Sequence, residues 1–349
     1  MPAAAESGIS NRPVGDNSAW LNLQPEEVLE PGLPICDPHH HLWDLDTYRY
    51  LLPDLLADVT GGHHVRSTVF IECGAMYRAD GPEELRPLGE TEFVNGAAAM
   101  SASGRYGAVR ACAGIVGFAD LSLGAPVEAV LQAHIAVAGG RFRGIRHISA
   151  FDPSGAVRAS RPHPPPHLLS EPRFREGFAR LRPLGLSYDA WLYHSQIPEL
   201  TELARAFPGQ PIVLDHVGGP LGIGPYAGKR DEIFPDWRKA IRDLAQCPNV
   251  HVKLGGLGMK VIGYGYHKRP RPPGSQELAD AWRPYIETCV EAFTPRRCMF
   301  ESNFPVDKVS GSYRVYWNAF KRLAGGASPA EKAALFHDTA ATFYRLASV

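Results

Sequence analysis

The sequence predicts an α/β protein built as a distorted (β/α)8 TIM barrel. Eight short apolar runs recur along the chain, amphipathic segments separate most of them, and no G-x-G-x-x-G pattern follows the first run. Strands that alternate with helices form parallel sheets. Eight repeats favour a closed barrel, and the missing glycine motif argues against an open dinucleotide-binding sheet.

The repeats begin after a polar segment of 33 residues that is rich in Pro and Gly. We predict that residues 1–33 form an N-terminal arm that lies on the domain or is partly disordered, and that residues 34–349 form the barrel domain. The strand candidates are ICDPHHH, RSTVFIEC, AVRACAGIV, RGIRHIS, LSYDAWLYH, PIVLDHVGG, NVHVKLGGL and RCMFESNFP. The helix candidates have apolar residues at helical spacing and are ETEFVNGAAAMSAS, APVEAVLQAHIAVAG, RFREGFARLRPLG, PELTELARAF, PDWRKAIRDLAQ, ELADAWRPYIETCVEAF, SYRVYWNAFKRLAG and PAEKAALFHDTAATFYRL.

Composition excludes several classes of function. The 36 basic and 37 acidic residues leave a formal net charge of -1, which argues against a nucleic-acid partner and against binding to an anionic membrane. No apolar run approaches the ~20 residues of a membrane span, and the N-terminus lacks a signal-peptide pattern. The six cysteines form no C-x-x-C pair and lie mostly in strand candidates, as in proteins of a reducing compartment. We therefore predict a cytoplasmic protein with a small-molecule substrate; whether it forms a homo-oligomer is left open.

Three long connections follow strand candidates and span residues 151–172, 219–236 and 258–276. In a barrel, the segments that follow strands build the face on which active sites lie. Long loops there usually shape a pocket or a lid. The alternative is surface padding without a function.

The first strand ends in D-P-H-H-H, residues 37–41. Because successive side chains of a strand point to opposite faces, His39 and His41 should point together and His40 away from them. Two imidazoles on one side of a strand end can chelate a divalent ion. The alternative is a histidine run that merely caps the strand.

The sixth and eighth strand candidates also end in polar groups. His216 precedes two glycines that leave room for a ligand, so it is a candidate third imidazole ligand or catalytic base, or else a core histidine held by a carbonyl. Glu301 and Asn303 should share a face of the eighth strand, and Asp307 lies just beyond its end.

Taken in order, D-P-H-H-H-L-W-D, H-V-G-G-P, V-K-L-G-G-L and the closing F-x-S-x-x-P-V resemble the amidohydrolase superfamily. They are most similar to its branch of pyrone-dicarboxylate lactonase-like and fuconolactonase-like lactone hydrolases. The resemblance runs from about Ile35 to the C-terminus. It implies a distorted barrel in which water attacks a ring ester beside His39 and His41, with His216 in the same pocket. Some members of that branch hold a metal there and others do not.

The chain departs from the family pattern at the eighth strand. The resemblance implies an aspartate that activates water, but Asn303 stands in its place, and an amide has no comparable basic site. Glu301 and Asp307 rank equally as replacement bases, while Glu72 on the second strand is closer to a ligand role. For any one carboxylate, the alternative is an ion pair with an arginine. The predicted cofactor is one divalent metal, zinc or manganese, or else the site is metal-free; the candidate ligands are His39, His41, Glu72 and His216.

Substrate-binding candidates lie on the fourth, fifth and seventh strands. A carboxylate-bearing substrate would pair with cations that are rarely buried alone, unless these cations bridge instead to Glu72 or Glu301. Aromatic side chains on the fifth strand could form a wall for a planar ring, or ordinary core. The candidates are Arg146, His147, Tyr188, Trp191, His194 and Lys253.

The leading prediction is a hydrolase that opens a small, carboxylate-bearing lactone in a catabolic pathway. Water would add to the ring carbonyl, a carboxylate would accept the proton, and a cation would stabilise the oxyanion. Two alternatives remain: a metal-dependent decarboxylase of the same superfamily, and a non-catalytic barrel that binds a small molecule.

Overall fold

A computed structural model describes residues 15–45, 48–157 and 164–347 and contains an eight-stranded barrel. The strands are β1 (Pro34–His40), β2 (His64–Ile71), β3 (Arg110–Gly117), β4 (Phe142–Arg146), β5 (Ser187–Ala190), β6 (Ile212–Leu214), β7 (Val250–Leu254) and β8 (Cys298–Phe300). Each strand pairs in parallel with the next along the chain. The segment after β8 returns to β1 through a parallel bridge between His40 and Phe304 and a 2.7 Å bond from His41 N to Phe304 O. The predicted (β/α)8 barrel is confirmed.

Helices alternate with these strands as the apolar spacing predicts. They are Ser18–Leu21, Leu52–Val59, Leu88–Ala102, Val127–Val137, Pro172–Phe178, Ile197–Ala206, Arg230–Ala245, Ser275–Phe293, Tyr313–Leu323, Pro329–Ala333 and Thr339–Phe343, and a two-stranded antiparallel hairpin joins Trp43–Leu45 to Tyr48–Tyr50. The last predicted helix is divided by a π turn over Ala334–Asp338.

The strands are shorter than the apolar runs that predict them. In the sixth run only Ile212–Leu214 pairs with its neighbours. His216, Val217, Gly218 and Gly219 all have positive φ, and a residue in the left-handed region cannot continue an extended strand. The polar ends of the runs therefore lie in turns at the carboxyl end of the barrel.

Alternation along the strands separates two apolar clusters. Side chains such as Ile35, Phe70 and Leu254 belong to a large cluster with the surrounding helices. Their neighbours form a smaller inner cluster with the C-terminal residues: Cys36, Val69, Ile71, Val116, Val213, Met299, Ala340, Phe343 and Tyr344. The end of the chain therefore packs into the barrel interior. Phe343 contacts the ring of His251 and Thr339 bonds to Pro295 O, which places this segment at the amino ends of the strands.

Residues 15–33 lie against the barrel domain. Glu26 accepts a bond from Ser275 N at 2.6 Å, Leu29 N donates to Asn318 at 2.9 Å, and Lys321 Nζ donates to the carbonyls of Leu29 and Glu30. The division of the chain at residue 34 stays a prediction. Within the described ranges, no helix combines the length and apolar character that crossing a bilayer requires, and the cytoplasmic location stays a prediction.

Candidate active site

The histidines of β1 meet the histidine that follows β6. The ring centroid of His39 lies 5.0 Å from that of His41 and 4.5 Å from that of His216. His40 points away from them, as alternation predicts, and lies 2.8 Å from Thr68 Oγ1. Burial lowers the pKa of His40 to about 3, so this ring is a neutral part of the fold.

Glu301, directly after β8, connects two of these imidazoles. Its Oε2 lies 2.8 Å from His39 Nδ1, and its Oε1 lies 2.6 Å from His216 Nδ1 and 3.1 Å from His216 N. Although burial opposes ionisation, His216 and His39 lower the pKa of Glu301 to about 2. Because an ionised carboxylate only accepts hydrogen bonds, both Nδ1 atoms carry the proton.

The ring orientation of each imidazole follows from its Nδ1 partner. His41 Nδ1 lies 2.8 Å from Ile71 O, so it too is the protonated nitrogen. His39 Nε2 is left as an acceptor and lies 3.3 Å from Arg146 Nη1. Burial lowers the pKa values of His39 and His41 well below the usual range, and nearby Lys253 and Arg146 respectively add to the effect. His39 and His41 are therefore neutral and present Nε2 lone pairs.

A network of buried ion pairs surrounds His39. Arg146 Nε donates to Glu72 Oε1 at 2.7 Å, and its Nη2 donates to Glu72 O. Lys253 Nζ lies 2.7 Å from Asp189 Oδ2 and 3.0 Å from Asp215 Oδ1. The alternative of an ion pair with Glu72 thus describes Arg146, and Lys253 pairs with two aspartates that the motif analysis missed. The signal was available, since both aspartates interrupt apolar strand runs.

The network carries more negative than positive charge. Four buried carboxylates, those of Glu72, Asp189, Asp215 and Glu301, face two buried cations, Arg146 and Lys253. Although burial opposes its charge, Asp189 and Asp215 raise the pKa of Lys253. Against the same opposition, Lys253 and His216 lower the pKa of Asp215. The excess of two negative charges equals that of a divalent cation or of two protons.

The donor set also fits a metal. Ligand atoms of His39, His216 and Glu301 all lie within 4.8 Å of one another, and two imidazoles with one carboxylate are a common set for zinc. Two other predicted ligands lie outside this triad: His41 uses Nδ1 for Ile71 O, and Glu72 is paired with Arg146.

Comparison with known proteins assigns the family. Residues 36–346 match the family model described as Amidohydrolase. The chain belongs to the amidohydrolase family. Over 336 residues it is 37% identical to the uncharacterized protein y4mH of Sinorhizobium fredii, covering 90% of this chain and 99% of that protein. Over 284 residues it is 28% identical to an L-fucono-1,5-lactonase of Burkholderia multivorans, covering 78% of this chain and 88% of that enzyme.

Among solved structures, the fold matches an amidohydrolase from Burkholderia multivorans with bound zinc. The TM-score is 0.68 at 24% identity, and the match covers 90% of this chain and 99% of that one. The likeness supports the barrel architecture. The resemblance noted in the sequence is confirmed by the family match.

In this amidohydrolase the residues after β8 serve two different contacts. Asn303 has φ 55°, which ends the extended conformation, so its side chain does not follow Glu301 to the imidazoles. Its Nδ2 donates to Asp307 Oδ1 at 2.9 Å, and Gly258 N donates to Asp307 Oδ2 at 3.0 Å. Burial raises the pKa of Asp307 well above its usual range. Of the two replacement bases predicted for the missing aspartate, only Glu301 touches the histidines in the described structure.

The aromatic candidates of the fifth run divide between the site and the core. The Trp191 ring lies 4.8 Å from that of His216. Tyr188 packs on Phe178 at 5.2 Å, and its hydroxyl donates to His147 O. The rings of two further predicted residues also contact other groups: His147 packs on Phe118, and His194 packs on Tyr226. The structure thus brings Trp191 to the clustered histidines and uses the other three rings in packing.

Proposed function

We propose that this amidohydrolase opens the ring ester of a small, carboxylate-bearing lactone by adding water. The observation that carries the proposal is the double contact of Glu301 with the Nδ1 atoms of His39 and His216. It fixes two imidazoles at the carboxyl end of the barrel, where barrel enzymes hold their active sites. The likeness to L-fucono-1,5-lactonases supports a lactone as the substrate.

His216 is the proposed general base. Its Nδ1 proton is held by Glu301 at 2.6 Å, so Nε2 carries the lone pair that accepts a proton from water. The oxygen of that water forms the new bond to the ring carbonyl. When the ring C–O bond breaks, the imidazolium returns the proton to the leaving alkoxide, and the product is an open-chain hydroxy acid. Glu301, ionised throughout, stabilises the imidazolium.

Arg146 is the proposed partner of the substrate oxygen. A guanidinium has five N–H groups, and three of them are directed to Glu72 Oε1, Glu72 O and His39 Nε2. The remaining two can donate to the developing oxyanion or to a substrate carboxylate. Lys253 is fully buried and contacts two aspartates, so we assign it to the internal network instead.

A divalent metal, if held, would be bound by His39, His216 and Glu301. Such an ion supplies Lewis acidity that polarises a carbonyl. It would also balance the two excess negative charges of the ion-pair network.

The test is a panel of aldonolactones and cyclic dicarboxylate esters that includes L-fucono-1,5-lactone, followed by proton release in weakly buffered solution against an enzyme-free blank. We expect hydrolysis above the spontaneous rate by the wild type and a loss of at least about 100-fold in kcat for His216→Asn, as is typical for a general base. Carbon dioxide release from aromatic acids without lactone turnover would instead identify a decarboxylase. Binding of these compounds without turnover would identify a non-catalytic barrel.

A further inference from the structure

The C-terminal segment reaches the polar network from below. Tyr344 follows the helix Thr339–Phe343 and is fully buried among the apolar side chains of the inner cluster. Its hydroxyl extends beyond this apolar layer and donates to Asp189 Oδ2 at 2.6 Å. The end of the last helix thus contacts a charged group of the barrel interior.

Asp189 passes this contact on to the site. The same Oδ2 atom lies 2.7 Å from Lys253 Nζ, which in turn lies 3.0 Å from Asp215 Oδ1 and 3.2 Å from His39 Nδ1. The ammonium also lies 5.5 Å from the centre of the Tyr344 ring. Two buried side chains therefore separate the C-terminal tyrosine from an imidazole of the candidate active site.

We propose that Tyr344 is a positioning residue for the hydrolytic centre, an inference that rests on the proposed function. Its hydroxyl fixes the Asp189 carboxylate, and Asp189 fixes the Lys253 ammonium beside His39 and Asp215. Filling the barrel end requires only apolar volume, which phenylalanine would supply without burying a hydroxyl at a cost in stability. Asp189 Oδ1 has no hydrogen-bond partner within the described residues, so removing the tyrosine hydroxyl leaves Lys253 as the main restraint on this carboxylate.

Tyr344→Phe tests the hydroxyl, and Phe343→Leu is the matched control for the packing of the same segment. A lost hydrogen bond to a charged group corresponds to a decrease of about ten-fold in kcat. With L-fucono-1,5-lactone or the best lactone of the panel as probe, we expect that decrease in Tyr344→Phe. KM should stay within about two-fold, because Tyr344 lies beneath the site and does not touch substrate. Phe343→Leu should lower the melting temperature while kcat stays within about two-fold of the wild type, because the cavity it leaves costs packing energy only.

Crystal structures of the wild type and Tyr344→Phe supply a measurement that does not depend on activity. We expect the Asp189 carboxylate to rotate and Lys253 Nζ to move from its position beside His39. An unmoved Lys253 overturns the inference whatever the rate does, and so does a displaced Lys253 with unchanged kcat. If the wild type hydrolyses no lactone, the proposed function fails, and the position of Lys253 alone then decides the inference.

Discussion

Glu301→Gln is the sharpest perturbation of the proposed site. Glutamine keeps the size of the side chain but has one acceptor oxygen, whereas Glu301 accepts protons from His39 Nδ1 at 2.8 Å and His216 Nδ1 at 2.6 Å. The amide NH2 must face one of these N–H groups, which forces that imidazole to rotate or change tautomer. One charge-assisted bond is lost at about 1.5–3 kcal/mol, and the imidazolium that forms during catalysis loses its counter-ion.

Together these losses amount to about 2–4 kcal/mol in the barrier, or about 30- to 1000-fold in kcat/KM. The assay is proton release from the lactone that the wild type turns over best, with circular dichroism to confirm folding. Glu90→Gln is the matched control, because Glu90 is a buried carboxyl whose bonds go to Cys73 N and Ala75 N and not to an imidazole. If Glu301→Gln retains kcat/KM within three-fold of the wild type, Glu301 does not orient the imidazoles and the proposed mechanism is wrong.

Three further predictions follow from the same geometry. Zinc titrated into the protein should bind His41→Ala as it binds the wild type, and binding should be lost in His216→Ala, since calorimetry then reports only the triad; loss in both variants would place His41 among the ligands. Arg146→Lys keeps the charge but cannot span Glu72 and His39 Nε2 together, so kcat/KM should fall at least about ten-fold, whereas an unchanged value would remove Arg146 from the site. His134 is buried and burial lowers its pKa to about 4, below the usual value; its stabilising effect is therefore present above pH 6.5 and lost as pH falls toward 4. Denaturant unfolding of His134→Gln should show a slope of stability against pH that is shallower by up to about 1.4 kcal/mol per pH unit in that window, and an identical slope would contradict the assignment.

Much of the site follows from local rules that a sequence exposes. Side-chain alternation separates His40 from His39, and the parallel topology brings the carboxyl ends of β1, β6 and β8 together. These two rules suffice to place His216 and Glu301 near His39. Applied to the fifth run, the same alternation would have put Asp189 and Trp191 on one face and Tyr188 on the other, which is how the structure arranges them.

The pairing of buried charges could not be predicted from the sequence. Lys253 has Asp189, Asp215, Glu72 and Glu301 as possible partners at the strand ends, and only the shear and closure of the barrel decide among them. Tyr344 is harder still, because it lies on the last helical turn and enters the barrel from the end opposite to the motifs. Side chains that act on a site from beneath have no short-range pattern.

The asparagine after β8 changes the division of labour among the proposed catalytic groups. The resemblance leads one to expect an aspartate at position 303, yet the carboxylate that meets the histidines stands two residues earlier, at Glu301. With a pKa near 2, Glu301 is too weak a base to take a proton from water efficiently, because a base is effective when its pKa lies near the working pH. Asp307 is held by Asn303 and Gly258 N. The basic nitrogen that remains is Nε2 of His216, so the carboxylate here orients a base where the expected aspartate would itself have been one.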